Sequence, residues 1–210
     1  MKVIGTGVLL MSLFLAVDAK GDIVLDQQHS FTSSIGNSTN GDVSQMGQTF
    51  TVGIAGTLDH IDVLMFRLGG IFDPTGNPVM RVFNTSGGLP TGSPLALVSI
   101  PEANVPLNAA AMVSFDLSSF GLAANPGSIL AFSITAASGT GPYFLLTDQG
   151  QSIEYTGGDA VAMYGSNPWQ LISPSQDHGF RTFVNAIPEP ATGMFLIGLL
   201  AGLKLRRPRS

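Results

Sequence analysis

The sequence predicts an all-β protein, a two-sheet sandwich with jelly-roll or Greek-key wiring. Three observations carry the prediction. Apolar residues recur at every second position in many short stretches, which marks strands with one buried face. Turn residues (Gly, Pro, Asn, Asp) separate these stretches, and the chain holds 26 glycines and 13 prolines. Across residues 22–185 no helical period persists beyond two turns. About ten short strands in a single domain are best buried as two facing sheets, which leave no long exposed edge.

Each element follows from its residues. Residues 21–25 form a short apolar start, an edge strand. Residues 27–45 are rich in Ser, Thr, Asn and Gly and read as a long loop. From Gln48 the alternation begins, with Phe50 and Val52 against Thr49 and Thr51. Gly53 and Gly56 mark a turn. Leu58 starts the next strand, with Ile61, Val63 and Met65 on one face. A Pro/Gly-rich break over residues 73–78 leads to a strand at 79–83, with Met80 and Val82 on one side. Residues 84–92 read as a loop by composition, and 95–100 as a strand ended by Pro101. Ala111, Val113, Phe115 and Leu117 alternate cleanly with polar or exposed positions. After the turn Asn125-Pro126-Gly127, Leu130, Phe132 and Ile134 repeat the pattern. Residues 143–147, 160–164 and 169–172 are shorter candidates. Phe180, Thr182 and Val184, opposite Arg181 and Phe183, close the domain.

The two ends differ from the body. Lys2, the apolar run 8–17 and the small residues Val17 and Ala19 predict a signal peptide over residues 1–19, with a retained anchor as the alternative. The domain is then 20–186 and the tail 187–210. Pro188 and Pro190 each lock φ and lack an N–H, so no regular element runs through them. Residues 191–203 are uncharged and predict a short membrane helix, below the roughly 20 residues of a comfortable span. Lys204, Arg206, Arg207 and Arg209 follow as a membrane stop that stays on the cytoplasmic side.

Taken in order, Pro188-Glu189-Pro190, the following Ala-Thr, the glycine-containing apolar block and the Arg-rich end resemble the PEP-CTERM sorting signal of Gram-negative bacteria that make extracellular polysaccharide. That resemblance implies a partner, a membrane-embedded exosortase acting near Pro188, Glu189 and Pro190. It also implies transient inner-membrane anchoring, then a place at the cell surface or in the extracellular matrix. The tail also goes by the label "ice-binding protein C-terminal domain", which describes the tail alone; the chain has no internal repeat of the kind an ice-binding array needs. The body resembles the jelly-roll domains found upstream of such tails. The matching stretches are Gln48-Thr49-Phe50-Thr51 with Gly56-Thr57-Leu58, then Gly88-Leu89-Pro90, Ser114-Phe115-Asp116-Leu117-Ser118 and Asp177-His178-Gly179-Phe180-Arg181-Thr182-Phe183-Val184.

Composition excludes several activities. Residues 20–187 keep four cations against twelve acids, a formal net charge of −8. Nucleic acid is therefore not an expected partner, since phosphate neutralisation needs clustered Lys and Arg. There is no cysteine, hence no disulfide and no thiol chemistry. The histidines are His29, His60 and His178, and no Gly-x-Ser-x-Gly elbow is present. No pair of carboxylates stands in an aromatic setting, as a glycosidase would need. No catalytic residue and no cofactor are expected. Asp22, Asp26, Asp148, Glu154, Asp159 and Asp177 are possible oxygen ligands for Ca²⁺. No calcium-loop spacing joins them, so they read as solvated acids and no metal site is assigned. Trp169 is the single tryptophan, and with Tyr164 and Tyr155 it is the candidate ligand-binding group, as aromatic faces stack on sugar rings. The competing reading is that Trp169 caps the core. The expected function is a non-enzymatic, exported surface or matrix protein associated with exopolysaccharide. A specific carbohydrate-binding module is the alternative, and a secreted hydrolase the third choice.

Overall fold

The computed structural model describes residues 21–30, 35–40, 44–70, 73–136, 142–148, 155–172 and 176–187. The expected signal peptide, the motif Pro188-Glu189-Pro190, the apolar block and Lys204, Arg206, Arg207 and Arg209 lie outside the described residues. The strands in chain order are β1 (Ile23–His29), β2 (Ile35–Asn40), β3 (Ser44–Thr51), β4 (Gly56–Arg67), β5 (Pro78–Ser86), β6 (Leu89–Ser99), β7 (Ala111–Asp116), β8 (Ala123–Ala124), β9 (Ile129–Ala136), β10 (Pro142–Thr147), β11 (Ala160–Tyr164), β12 (Gln170–Leu171) and β13 (Phe180–Ala186). Two 3-10 turns, Glu102–Asn104 and Ser118–Phe120, flank β7.

The strands form two antiparallel sheets packed as a sandwich. One has the order β1-β13-β4-β10-β2, with β7 and β8 also on β4; the other runs β12-β11-β3-β9-β5-β6. The expected two-sheet sandwich is what the chain forms, and the jelly-roll-like reading fits it. In the first sheet β13 and β10 lie end to end along β4. Phe180 pairs with Val63, and β10 takes over at Met65, Phe66 and Arg67. On the far side, β1 pairs with β13 and β2 with β10. The junction of β10 and β13 is thus a seam where the ladder changes strand.

Alternation decides which side chains meet between the sheets. Leu58, Ile61, Val63 and Met65 of β4 face Met46, Phe50, Leu130, Phe132 and Ile134 of the second sheet within one apolar cluster. Phe180 lies at its centre, with ring centroids 6.2 Å from Phe50, 5.7 Å from Phe132 and 5.1 Å from Tyr155. Each fully buried Phe contributes about 1.5–3 kcal/mol through area removed from water.

Two expectations need correction. The polar stretch read as a loop over 27–45 holds the end of β1, all of β2 and the start of β3. Edge strands such as β2 are held by backbone bonds to one neighbour and need no apolar alternation, so composition misleads there. The loop read over 84–92 is a hairpin tip. β5 runs on to Ser86, Gly87 and Gly88 turn with φ of 60° and 79°, and β6 starts at Leu89. Two successive left-handed residues let the turn match the strand twist, which is why the pair is Gly-Gly.

Candidate functional site

The outer face of the second sheet carries an open groove of about 290 Å³ lined by Gln45, Arg81, Phe83, Gly92, Pro94, Met163 and Trp169. Strand periodicity places these side chains. Met80 and Val82 of β5 point into the core, so Arg81 and Phe83 point out. Gln45 comes from β3 and Met163 from β11. Gly92 and Pro94 of β6 form one wall. Trp169 enters just before β12, where Gly165, at φ 60°, has turned the chain back.

The Trp169 ring stands edge-on to Phe83, with centroids 5.7 Å apart and planes at 68°. Neither ring belongs to the apolar cluster between the sheets. Trp169 is half-buried, so Phe83 steadies one part of the indole while another stays open. Ser133 donates to Gln45 Oε1 at 3.0 Å, and Arg81 approaches the same oxygen at 3.5 Å. No carboxylate is among the groove's lining residues.

The three aromatic candidates are not brought together. Trp169 lines the groove. Tyr164 ends β11 and is 42% exposed but does not line it. Tyr155 is 9% exposed and sits on the core side, edge-on to Phe180, its hydroxyl donating to Gln27 at 3.0 Å. Burial pushes its phenol up to about 12, so it stays a neutral donor. The residues missed from sequence are Arg81 and Phe83. The signal for them is the inward alternation of Met80 and Val82, whose other face holds one of the domain's four cations beside an aromatic.

A second polar group lies at the β10–β13 seam. His29 Nε2 is 3.0 Å from Asp148 Oδ2. Asp148 and Asp177 are tied through their main chains: Asp177 N–H donates to Asp148 Oδ1 at 2.8 Å, and Asp148 N–H donates to the Asp177 carbonyl at 3.1 Å. Asp177 also accepts from Gln48 Nε2 at 2.7 Å and from Tyr155 N–H at 2.9 Å. Gln48 is on β3, so the network joins the two sheets, and its Oε1 accepts from His178 N–H at 3.0 Å. Asp148 is 1% exposed and Asp177 3%. They are thus buried hydrogen-bonding groups and not solvated acids, for they sit where the end of β10 meets the start of β13. Burial pushes the Asp177 carboxyl above its ordinary range, while the donors from Tyr155 and Gln48 pull it back. Burial drives His178 down to about 4; the nearby Leu146 carbonyl opposes this, although neither ring nitrogen makes a well-formed hydrogen bond.

The family model for the PEP-CTERM protein-sorting motif matches residues 186–209. The motif implies an exosortase-processed, exported protein with transient membrane anchoring. No curated protein matches the chain. Among the described residues no helix is long and apolar enough to cross a membrane, and the apolar block 191–203 lies outside them.

Proposed function

We propose that this protein is a non-enzymatic component of the cell surface or extracellular matrix, and that its sandwich holds extracellular polysaccharide in the Trp169 groove. The single observation that carries the reading is the half-open indole, backed by Phe83 and flanked by Arg81 and Gln45. An aromatic face beside a few fixed polar groups is the chemistry that recognises a sugar ring. The sorting motif supports it, because export brings the domain to where such polymers lie. No carboxylate is among the described residues that line the groove, which supports binding over cleavage.

Retention on immobilised polysaccharide tests the reading, with a neutral glucan and an acidic alginate as the two columns. Trp169→Ala abolishes retention and leaves the melting temperature close to that of the parent. Arg81→Gln weakens retention on alginate more than on the glucan. A Trp169→Ala variant that is destabilised but still retained removes the reading's main support. Turnover of any glycoside or ester in a broad substrate screen overturns the non-enzymatic part.

A further inference from the structure

We propose that His29, Asp148 and Asp177 form a structural site for a divalent transition metal of the zinc class. The three offer one imidazole nitrogen and two carboxylate oxygens, and the ligating atoms all lie within 4.8 Å of one another. Tetrahedral zinc with bonds of about 2.0–2.2 Å holds its ligand atoms roughly 3.4 Å apart, so side-chain movements of up to about 1.4 Å close the set.

Charge is the first argument. Two carboxylates are almost wholly buried, and among the described residues neither is paired with Lys or Arg; His29 is the ion-pair partner of Asp148. Buried charges are normally paired or bound to a metal. A dication balances both carboxylates. The neighbouring His178 shows how little polar compensation the interior offers there. Its ring is 0% exposed, and neither nitrogen makes a well-formed hydrogen bond. The three candidate ligands remain His29, Asp148 and Asp177, whose atoms alone meet the distance.

The choice of metal follows from the donors. Imidazole nitrogen with carboxylate suits zinc and its first-row neighbours, whereas calcium takes oxygen alone. The carboxylates are already oriented as metal ligands are: Gln48 and the Tyr155 N–H hold Asp177, and the Asp177 N–H holds Asp148. Coordination by His29 Nε2 replaces its contact with Asp148 Oδ2, and any proton held between them leaves to solvent. The ligands end β1, follow β10 and precede β13. A metal there clamps the seam where the ladder along β4 changes strand, in an exported chain without disulfides. The inference does not rest on the groove.

The test uses the full-length protein purified without chelator, its metal content by mass spectrometry, and calorimetric titration of the EDTA-stripped protein with Zn²⁺, Mn²⁺ and Ca²⁺. The expected result is one zinc per chain and a melting temperature that rises on loading. His29→Gln and Asp177→Asn each weaken zinc binding at least tenfold. His60→Gln, at the separate His60–Asp59 contact, leaves it unchanged. The parent's own titration keeps the test decisive if a variant fails to fold. Absence of stoichiometric zinc binding by the parent, binding retained in a folded His29→Gln, or loss in His60→Gln overturns the site. Preference for Ca²⁺ overturns the choice of metal.

Discussion

His178 lies in the interior with its ring neutral. In the unfolded chain an imidazole takes a proton near pH 6.5; in the fold burial delays that to about 4. The unfolded state therefore binds more protons between these values, and stability is lost as pH falls from about 6.5 towards 4. The difference amounts to roughly 3 kcal/mol once complete. Asp177 works the other way. Its raised carboxyl keeps a proton in the fold that the unfolded chain has released, so its contribution is fullest at low pH and fades as pH rises through that raised value. Asp148, His29, Gln48 and Tyr155 complete the polar surroundings. In EDTA, the parent melts lower at pH 4.5 than at pH 7, and His178→Leu shows a smaller drop. An equal drop in both assigns the acid sensitivity to other groups.

Among the elements β3 is the hub of the second sheet, lying between β9 and β11. Gly47 pairs with Ser133 there, and a Cβ on Gly47 would run into the Phe132 carbonyl oxygen, which is backbone and cannot swing away. Gly47→Ala therefore costs about 1–3 kcal/mol or more, as overpacking does. Gly88→Ala meets no neighbouring atom and strains only its own left-handed backbone, at about 1–2 kcal/mol. Denaturant unfolding of the two variants should rank them in that order; the reverse order would mean that β3 and β9 can separate slightly to admit a methyl group. The inward faces of β4, β7, β9 and β13 were legible because one buried face imposes a period of two on the residues themselves. The strand β2 was not, since Ile35-Gly36-Asn37-Ser38-Thr39-Asn40 pairs through its backbone with β10 and carries no such period.

For the whole molecule the relation between sandwich and tail matters most. β13 ends at Ala186, and the Ile187 N–H donates to the Ala55 carbonyl at 3.1 Å. The sorting motif follows at once, so cutting near Pro188-Glu189-Pro190 removes none of the described strands. A chain lacking residues 188–210 should melt within about 2 °C of the full chain, the change that roughly half a kcal/mol makes in a domain this size. A larger loss would show that the tail packs on the sandwich. Mass spectrometry of the exported protein should find a C-terminus near the motif, and one at Ser210 would count against processing. At a formal −8, residues 20–187 repel like-charged polymers at long range. The lone cation Arg81 in the groove is the exception, and raised salt should bring the two retention columns closer together.

The fold class, most buried faces and the sorting motif were determined by the sequence itself. Each is a local property, written either as a period of two or as a linear order of proline, apolar and basic segments. The two candidate sites were decided by the tertiary structure. Arg81 and Trp169 meet only because β5 and the segment before β12 come together on one face. His29 and Asp148 are 119 residues apart, and Gln48 and Asp177 are 129 apart. Strand order brings such residues together, and it is set by the packing of whole sheets, which leaves no mark on the residues near any one of them.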